Sequence, residues 1–342
     1  MKKSIWAIDV GPQRVTAVAA ESRPGNPIRV LEKIERPTEG LKPGEIVNIG
    51  DLAECLAAIV RDLENATGTP RRAIFYGVDD PFMESRRLSG GRTLDGDGQI
   101  RPVDVQQAMN AALRLVGHFE TSPVYFRETG YLIDGKDSVM NPVGVFGRQL
   151  DVHSHVLLAR AEHLEKWKTV FERARLKNAH PVLSVLSSAY GVLDASQRQG
   201  GSLLWDLGQD LLCGIVMERG VIVDYAGISS EDLSPAEAAD RVGAESAKLL
   251  KGNGAARAFV LTGDWAEKES VVDRIQSALP KNPVQVAFPR DLPGLTQPRY
   301  AAIAGLLRIA AERDIAGSTR VSRADLVAGL KHRAVSLMNE YF

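Results

Sequence analysis

Cysteine is nearly missing from the chain: Cys55 and Cys213 are the only two, far apart and each among apolar neighbours. A disulfide framework is thereby excluded, a reducing cytoplasm fits, and both thiols are expected as small core residues. An excess of one charge is lacking too, because 42 Lys and Arg stand against 43 Asp and Glu, for a formal net charge of −1. That leaves no basic footprint for nucleic acid. No apolar run approaches bilayer-spanning length, so any membrane attachment is expected to be peripheral. Lys2-Lys3 and the apolar residues after them do not make a signal peptide, since Asp9 and Arg14 interrupt the run. Catalytic constellations are missing as well. His118, His163, His180 and His332 are scattered, and His153 and His155, two residues apart on one strand, lack a nearby third ligand for a metal. No Ser-His-acid or Cys-His grouping follows from spacing.

What is present is a repeat. Gly201–Gly227 reads as a strand, a tight turn opening on Asp206-Leu207-Gly208, and two further strands. Ser4–Glu21 echoes it, with an apolar strand, the turn Asp9-Val10-Gly11 and a β-rich return strand. Self-similarity at this distance is far longer than a solenoid period and implies two related halves facing each other. The length of 342 residues, at roughly 150 residues per domain, agrees with two domains.

The rest alternates in the manner of an α/β layer architecture with a mixed sheet. A strand is expected over Pro27–Arg36, then a Gly- and Pro-rich loop to Gly50. Asp51 is expected to cap a helix carrying Leu52, Leu56, Ile59, Val60 and Leu63, which stops before Gly68. Ala73–Val78 reads as a buried strand. From Asp79 the composition shifts: Gly90-Gly91 and Asp95–Gly98 read as loops, Val103–Val116 as a helix, and Val124–Ile133 and Gly147–Leu158 as strands. This is an α+β insertion closing near Arg160. Helices follow at Glu162–Ala174 and Ser184–Leu193, and after the second hairpin at Ala236–Leu250, Glu267–Leu279 and Arg299–Ala311, with strands at Ala258–Thr262 and Val284–Phe288.

Several segments carry a specific resemblance. Asn141-Pro142-Val143-Gly144 resembles the Asn-Pro-x-Gly strand entry of FtsA, the bacterial cell-division protein of the actin-like ATPase fold. Arg173–Leu176, Ser187–Tyr190, Val192-Leu193, Leu261-Thr262-Gly263 and Tyr300–Leu307 are similar to that family at matching spacing. The resemblance covers nearly the whole chain. It implies an actin-like ATPase fold of two duplicated, ribonuclease H-like lobes, the first at 1–78 and 161–198 and the second at 199–315. It also implies an FtsA-type insertion of the SHS2 kind at 79–160, a reduced subdomain at 227–257, and a linker with a C-terminal amphipathic helix at 316–342.

It further implies ATP and Mg²⁺ in a cleft between the lobes. The residues matching the nucleotide turns are Asp9, Gly11, Gln13 and Arg14, then Asp206, Gly208 and Gln209, and finally Gly263; Asp9 and Asp206 would hold Mg²⁺ through water. Either aspartate alone could simply cap its own turn; their pairing within the repeat favours the cleft. All three turns depart from the family pattern. Pro12 removes a backbone donor, Gln209-Asp210 replaces glycines, and Asp264 replaces a second glycine after Gly263. Two like charges ~4 Å apart cost about 4 kcal/mol at an effective dielectric near 20. That is roughly a thousandfold in affinity unless Mg²⁺ or Arg14 compensates. Nucleotide binding is therefore expected to be weak or absent, leaving at most a weak ATPase.

The tail places Leu326, Leu330, Ala334, Leu337 and Tyr341 at helical spacing, with Met338 beside them and a closing Phe342; Leu330, Leu337, Met338, Tyr341 and Phe342 are a candidate membrane contact whose alternative is a helix packed on its own domain. The expected function is an FtsA-like cytoskeletal adaptor working through protein–protein contacts, with self-association and membrane tethering at the inner face of the cytoplasmic membrane. The partner would be FtsZ-like or the tail of a membrane protein. The short stretch between Ala226 and Ala258 puts FtsZ binding in doubt and keeps open a PilM-like pilus-assembly adaptor. A sugar kinase, the reading from a different class, is disfavoured by the missing glycines and the insertion.

Overall fold

The computed structural model describes residues 3–318, apart from 24, 70–72, 96–97, 117–119, 140 and 254–255. The C-terminal stripe from Leu330 to Phe342 therefore lies outside the described residues, as do the linker beyond residue 318 and His118.

In chain order, the first half opens with β1 (Lys3–Val10), β2 (Arg14–Ser22) and β3 (Arg29–Pro37). The short hairpin β4 (Leu41–Lys42) and β5 (Glu45–Ile46) leads to α1 (Ile49–Thr67) and the fully buried β6 (Ile74–Val78). The insertion contributes β7 (Glu84–Thr93), α2 (Pro102–Arg114), β8 (Thr121–Ile133), β9 (Asp137–Val139) and β10 (Gln149–Arg160). Next come α3 (Ala161–Arg173), β11 (Ala179–Leu183), α4 (Ser184–Val192) and α5 (Ala195–Gly200). The second half consists of β12 (Ser202–Leu207), β13 (Leu211–Glu218), β14 (Val221–Ser229), α6 (Pro235–Asn253), β15 (Ala258–Thr262), α7 (Glu269–Ala278), β16 (Val284–Val286) and α8 (Ala301–Ser318).

The repeat read in the sequence is a repeat of topology. One five-stranded sheet runs β3-β2-β1-β6-β11 and the other β14-β13-β12-β15-β16. In both, an antiparallel meander of three strands is followed by a helix and two parallel strands. The hairpin turns are equivalent residue by residue. Val10 pairs with Val15 and Leu207 with Leu212, and the Gly11 and Gly208 amides donate to the carbonyls of Arg14 (2.9 Å) and Leu211 (3.1 Å). Between β14 and β15 the described residues form one helix, α6.

By internal contacts the described residues form two compact units, residues 3–82 with 162–318 and residues 83–161. In the first, α6 and α7 cover the second sheet around the fully buried Trp205, whose indole N–H donates to Ser246 Oγ of α6 (2.9 Å). The helix α8 lies on the first sheet, packing Tyr300, Ile303, Leu306 and Leu307 against Ile5, Ala7, Val18 and Phe75. Cys55 and Cys213 are buried and unpaired. In the second unit the sheet order is β7-β10-β8-β9, with Val105, Ala108, Met109 and Ala112 of α2 packed on Leu150, Val152 and Val156.

Two local expectations are corrected. The cap of α1 is Asn48, whose Oδ1 accepts from the amides of Gly50 (2.9 Å) and Asp51 (3.3 Å); Asp51 is in the first turn and accepts from Asn48 Nδ2. Gly90-Gly91 is not a loop but part of β7. A Cβ at Gly90 would lie 2.3 Å from the Ala108 carbonyl, so glycine is required there by the close crossing of α2 over the strand, not by a turn. His155 is fully buried with its Nε2 2.9 Å from Ser85 Oγ, while His153 is half-buried, so the two do not form a metal pair.

Candidate functional site

A cleft opens where the two hairpin turns meet, within the unit that holds both sheets. Its lining includes Asp9, Gly11, Pro12, Gly44, Asp79, Ser184, Asp206, Gly208, Gln209, Asp210, Gly263, Asp264 and Arg299. Of the turn residues expected from the sequence, Asp9, Gly11, Asp206, Gly208, Gln209 and Gly263 line it, Arg14 reaches it only through Asp264, and Gln13 is exposed and does not line it; Asp79, Ser184 and Gly44 join them.

The carboxylates follow the repeat. Asp9 and Asp206 occupy equivalent positions, pairing with Thr16 and Cys213. The register Ile8 to Tyr76 in one half and Trp205 to Leu261 in the other makes Asp79, three residues beyond Tyr76, the counterpart of Asp264. Asp210 is the fifth acid. Glycine makes room for this crowding: a Cβ at Gly77 would come 2.6 Å from Ser184 Oγ, and one at Gly263, with φ +89°, 2.4 Å from Asp206 Oδ1.

Crowding and enclosure shift the acids. The Asp9 carboxyl is surrounded by protein although the residue keeps partial solvent access. Burial, then the nearby Asp206 and Asp264, pushes it up to about 7 against the pull of Arg14. Burial pushes Asp79 up to about 8, with Asp206, Asp210 and Asp9 adding repulsion and a Ser184 hydrogen bond opposing. Its Oδ1 is fully enclosed without a hydrogen-bond partner. Burial also takes Asp206 to about 6, opposed by the Ser188 hydroxyl that donates to it and raised further by Asp264 and Asp210.

The backbone and basic groups of the cleft are already engaged. Burial raises Asp210, opposed by nearby backbone amides, and its Oδ2 accepts from the Gly44 amide at 3.2 Å. Asp264 Oδ1 accepts from Arg14 Nη2 (3.1 Å) and from Gln209 Nε2 (3.2 Å). Arg14 is steadied from its own sheet by Glu35 on β3, 3.5 Å from Nε. Arg299 turns to Glu267 (3.6 Å). Among the described residues no group of three or more His, Cys, Asp or Glu side chains is placed to hold a metal ion.

Two sheets of equivalent topology with a cleft between their hairpin turns are the architecture of actin-like ATPases. The solved structures agree. The chain of a PilM-PilN type IV pilus biogenesis complex matches with a TM-score of 0.62 at 14% identity, covering 90% of this chain and 98% of that one. MreB5 of Spiroplasma citri, solved bound to ADP, matches with 0.50 at 9% identity, over 92% and 99%. Residues 83–158 match the family model of the SHS2 domain inserted in FtsA. Cell division protein FtsA of Pseudomonas aeruginosa is 24% identical over 206 residues, 60% of this chain and 49% of that protein. FtsA of Escherichia coli K12 is 19% identical over 257 residues, 73% and 61%. The chain thus has an actin-like fold, carries a segment of the SHS2 type inserted in FtsA, and is similar to FtsA over 60 to 73% of its length. It spans about half the length of the curated relatives it matches.

Proposed function

We propose that this protein is a cell-division adaptor of the FtsA kind, working through protein–protein contacts around a cleft that has lost most of its fit for nucleotide. The observation that carries the reading is the FtsA-type domain at residues 83–158, inserted between β6 and α3 of an actin-like scaffold. Proteins of this superfamily bind ATP and Mg²⁺ in such a cleft, but the residues here fit that ligand poorly. Pro12 offers no amide, the Gly11 and Gly208 amides serve their own turns, and Asp210 places a carboxylate in the lining of the second turn. Arg14 is spoken for by Asp264. Five crowded aspartates line the cleft where a polyphosphate would need donors. No catalytic step is derived through nucleotide, and Asp9 and Asp206 keep at most a water-mediated role toward Mg²⁺.

The partner, the self-association and the seat at the inner membrane face belong to the same proposal, supported by the division relatives. No helix among the described residues is long and apolar enough to cross a membrane. A second reading, an adaptor for pilus assembly, is supported by the 98% coverage of the chain from the pilus complex; the division relatives favour the first. Affinity capture of the full chain from its host tests both: an FtsZ-like protein supports the division role, a pilus membrane protein replaces it, and neither overturns both. Titration calorimetry with Mg-ATP tests the cleft separately, and a micromolar Kd would overturn the loss of fit.

A further inference from the structure

We propose that Asp210 and Asp264 act as tethered anions that clasp the two halves of the fold shut across the cleft, so that the closed arrangement needs no bound ligand. Both carboxylates belong to the second half, and both reach partners of the first. Asp264 Oδ1 meets Arg14 Nη2, 250 residues away in sequence, at 3.1 Å. Asp210 Oδ2 accepts from the Gly44 amide at 3.2 Å, 166 residues away.

Each contact is built at both ends. Gly44 sits in the turn between β4 and β5 with φ +69°, and a Cβ there would press to 2.4 Å from Pro81 Cγ, so the hairpin tip presents a bare amide at a fixed place. Arg14 begins β2, and Glu35 on the neighbouring strand draws its guanidinium along the sheet toward the cleft. On the opposite side, Gln209 Nε2 holds the same Asp264 oxygen that Arg14 reaches.

Charge-assisted hydrogen bonds from prepositioned partners lose little freedom on forming, which is the condition for a clasp rather than an incidental surface pair. A hinge between lobes ordinarily moves until some contact selects one arrangement. Here the chain supplies that contact itself.

The test is a pulsed electron spin distance measurement on the full chain, labelled at Glu54→Cys on α1 and Ala247→Cys on α6. Both positions are exposed, whereas the native Cys55 and Cys213 are buried. The parent is expected to give one narrow distance population without ligand. Asp210→Ala with Asp264→Ala is expected to shift and broaden it toward longer distances, with circular dichroism confirming a folded chain. Asp264→Asn, which keeps side-chain volume, and Arg14→Gln, which removes the guanidinium, are expected to give the same shift to a smaller degree and carry the test if the double variant fails to fold. Folded variants with an unchanged or shortened distance would overturn the clasp.

Discussion

Gly305 of α8 and Ser187 of α4 approach so closely that a Cβ on Gly305 would lie 1.6 Å from the Ser187 carbonyl oxygen. The same crossing brings Gly191 of α4 against Ala301, where a Cβ would lie 2.0 Å from the carbonyl oxygen. Gly to Ala in an exposed helix interior gains about 1 kcal/mol. Here the clash with main chain wins, because neither helix can move without disturbing the core under α8. Gly305→Ala is expected to cost about 3 kcal/mol or more, checked by urea unfolding.

The cleft acids reverse the usual pH dependence. Asp9, Asp79 and Asp206 bind protons more tightly folded than unfolded, since their values of about 7, 8 and 6 exceed the ordinary 3.8. Their contribution to stability is full below about pH 4 and declines as pH rises toward 8. Asp79→Asn removes the largest of the three. It is expected to flatten the decline and to stabilise the protein at pH 8 by about 1 to 3 kcal/mol, read from unfolding midpoints at pH 5.5 and 8.

In the inserted unit, Gly90 and Gly130 form a matched pair for substitution. Gly90→Ala would drive a Cβ into the backbone of α2, 2.3 Å from the Ala108 carbonyl and 2.4 Å from the Ala112 amide, whereas a Cβ at Gly130 meets nothing within 4 Å. Gly90→Ala is expected to lower stability by about 1 to 3 kcal/mol. Gly130→Ala should stay within about 0.5 kcal/mol of the parent.

Asn48→Ala leaves the Gly50 and Asp51 amides without their acceptor and should cost about 1 kcal/mol. Asn48→Asp retains an acceptor and should recover most of it. Thermal unfolding of the three proteins side by side decides.

The architecture was legible because it rests on patterns local to the chain. The two hairpins, α1 ending at Gly68 and the Ala258–Thr262 strand all follow from apolar spacing and glycine position. What stayed hidden depends on approach between distant segments. Gly90 carries a loop signal when read alone, and only the crossing of α2 makes it a strand residue. Asp79 reads as the start of an insertion, and the register of β6 against β1 is needed to make it the twin of Asp264. Asp210 could be read as an added charge, but not as the acceptor for the Gly44 amide, 166 residues away.

The insertion has a further consequence in where its ends fall. Its first and last strands, β7 and β10, pair with Glu84 opposite Leu158, so the chain leaves and returns as immediate neighbours. At the matching junction of the second half, between β15 and α7, the gap is spanned by the four-residue turn Asp264–Glu267. The molecule thus carries its own measure of the shortest splice. On that measure, a chain in which such a turn replaces residues 83–161 is expected to keep both five-stranded sheets intact.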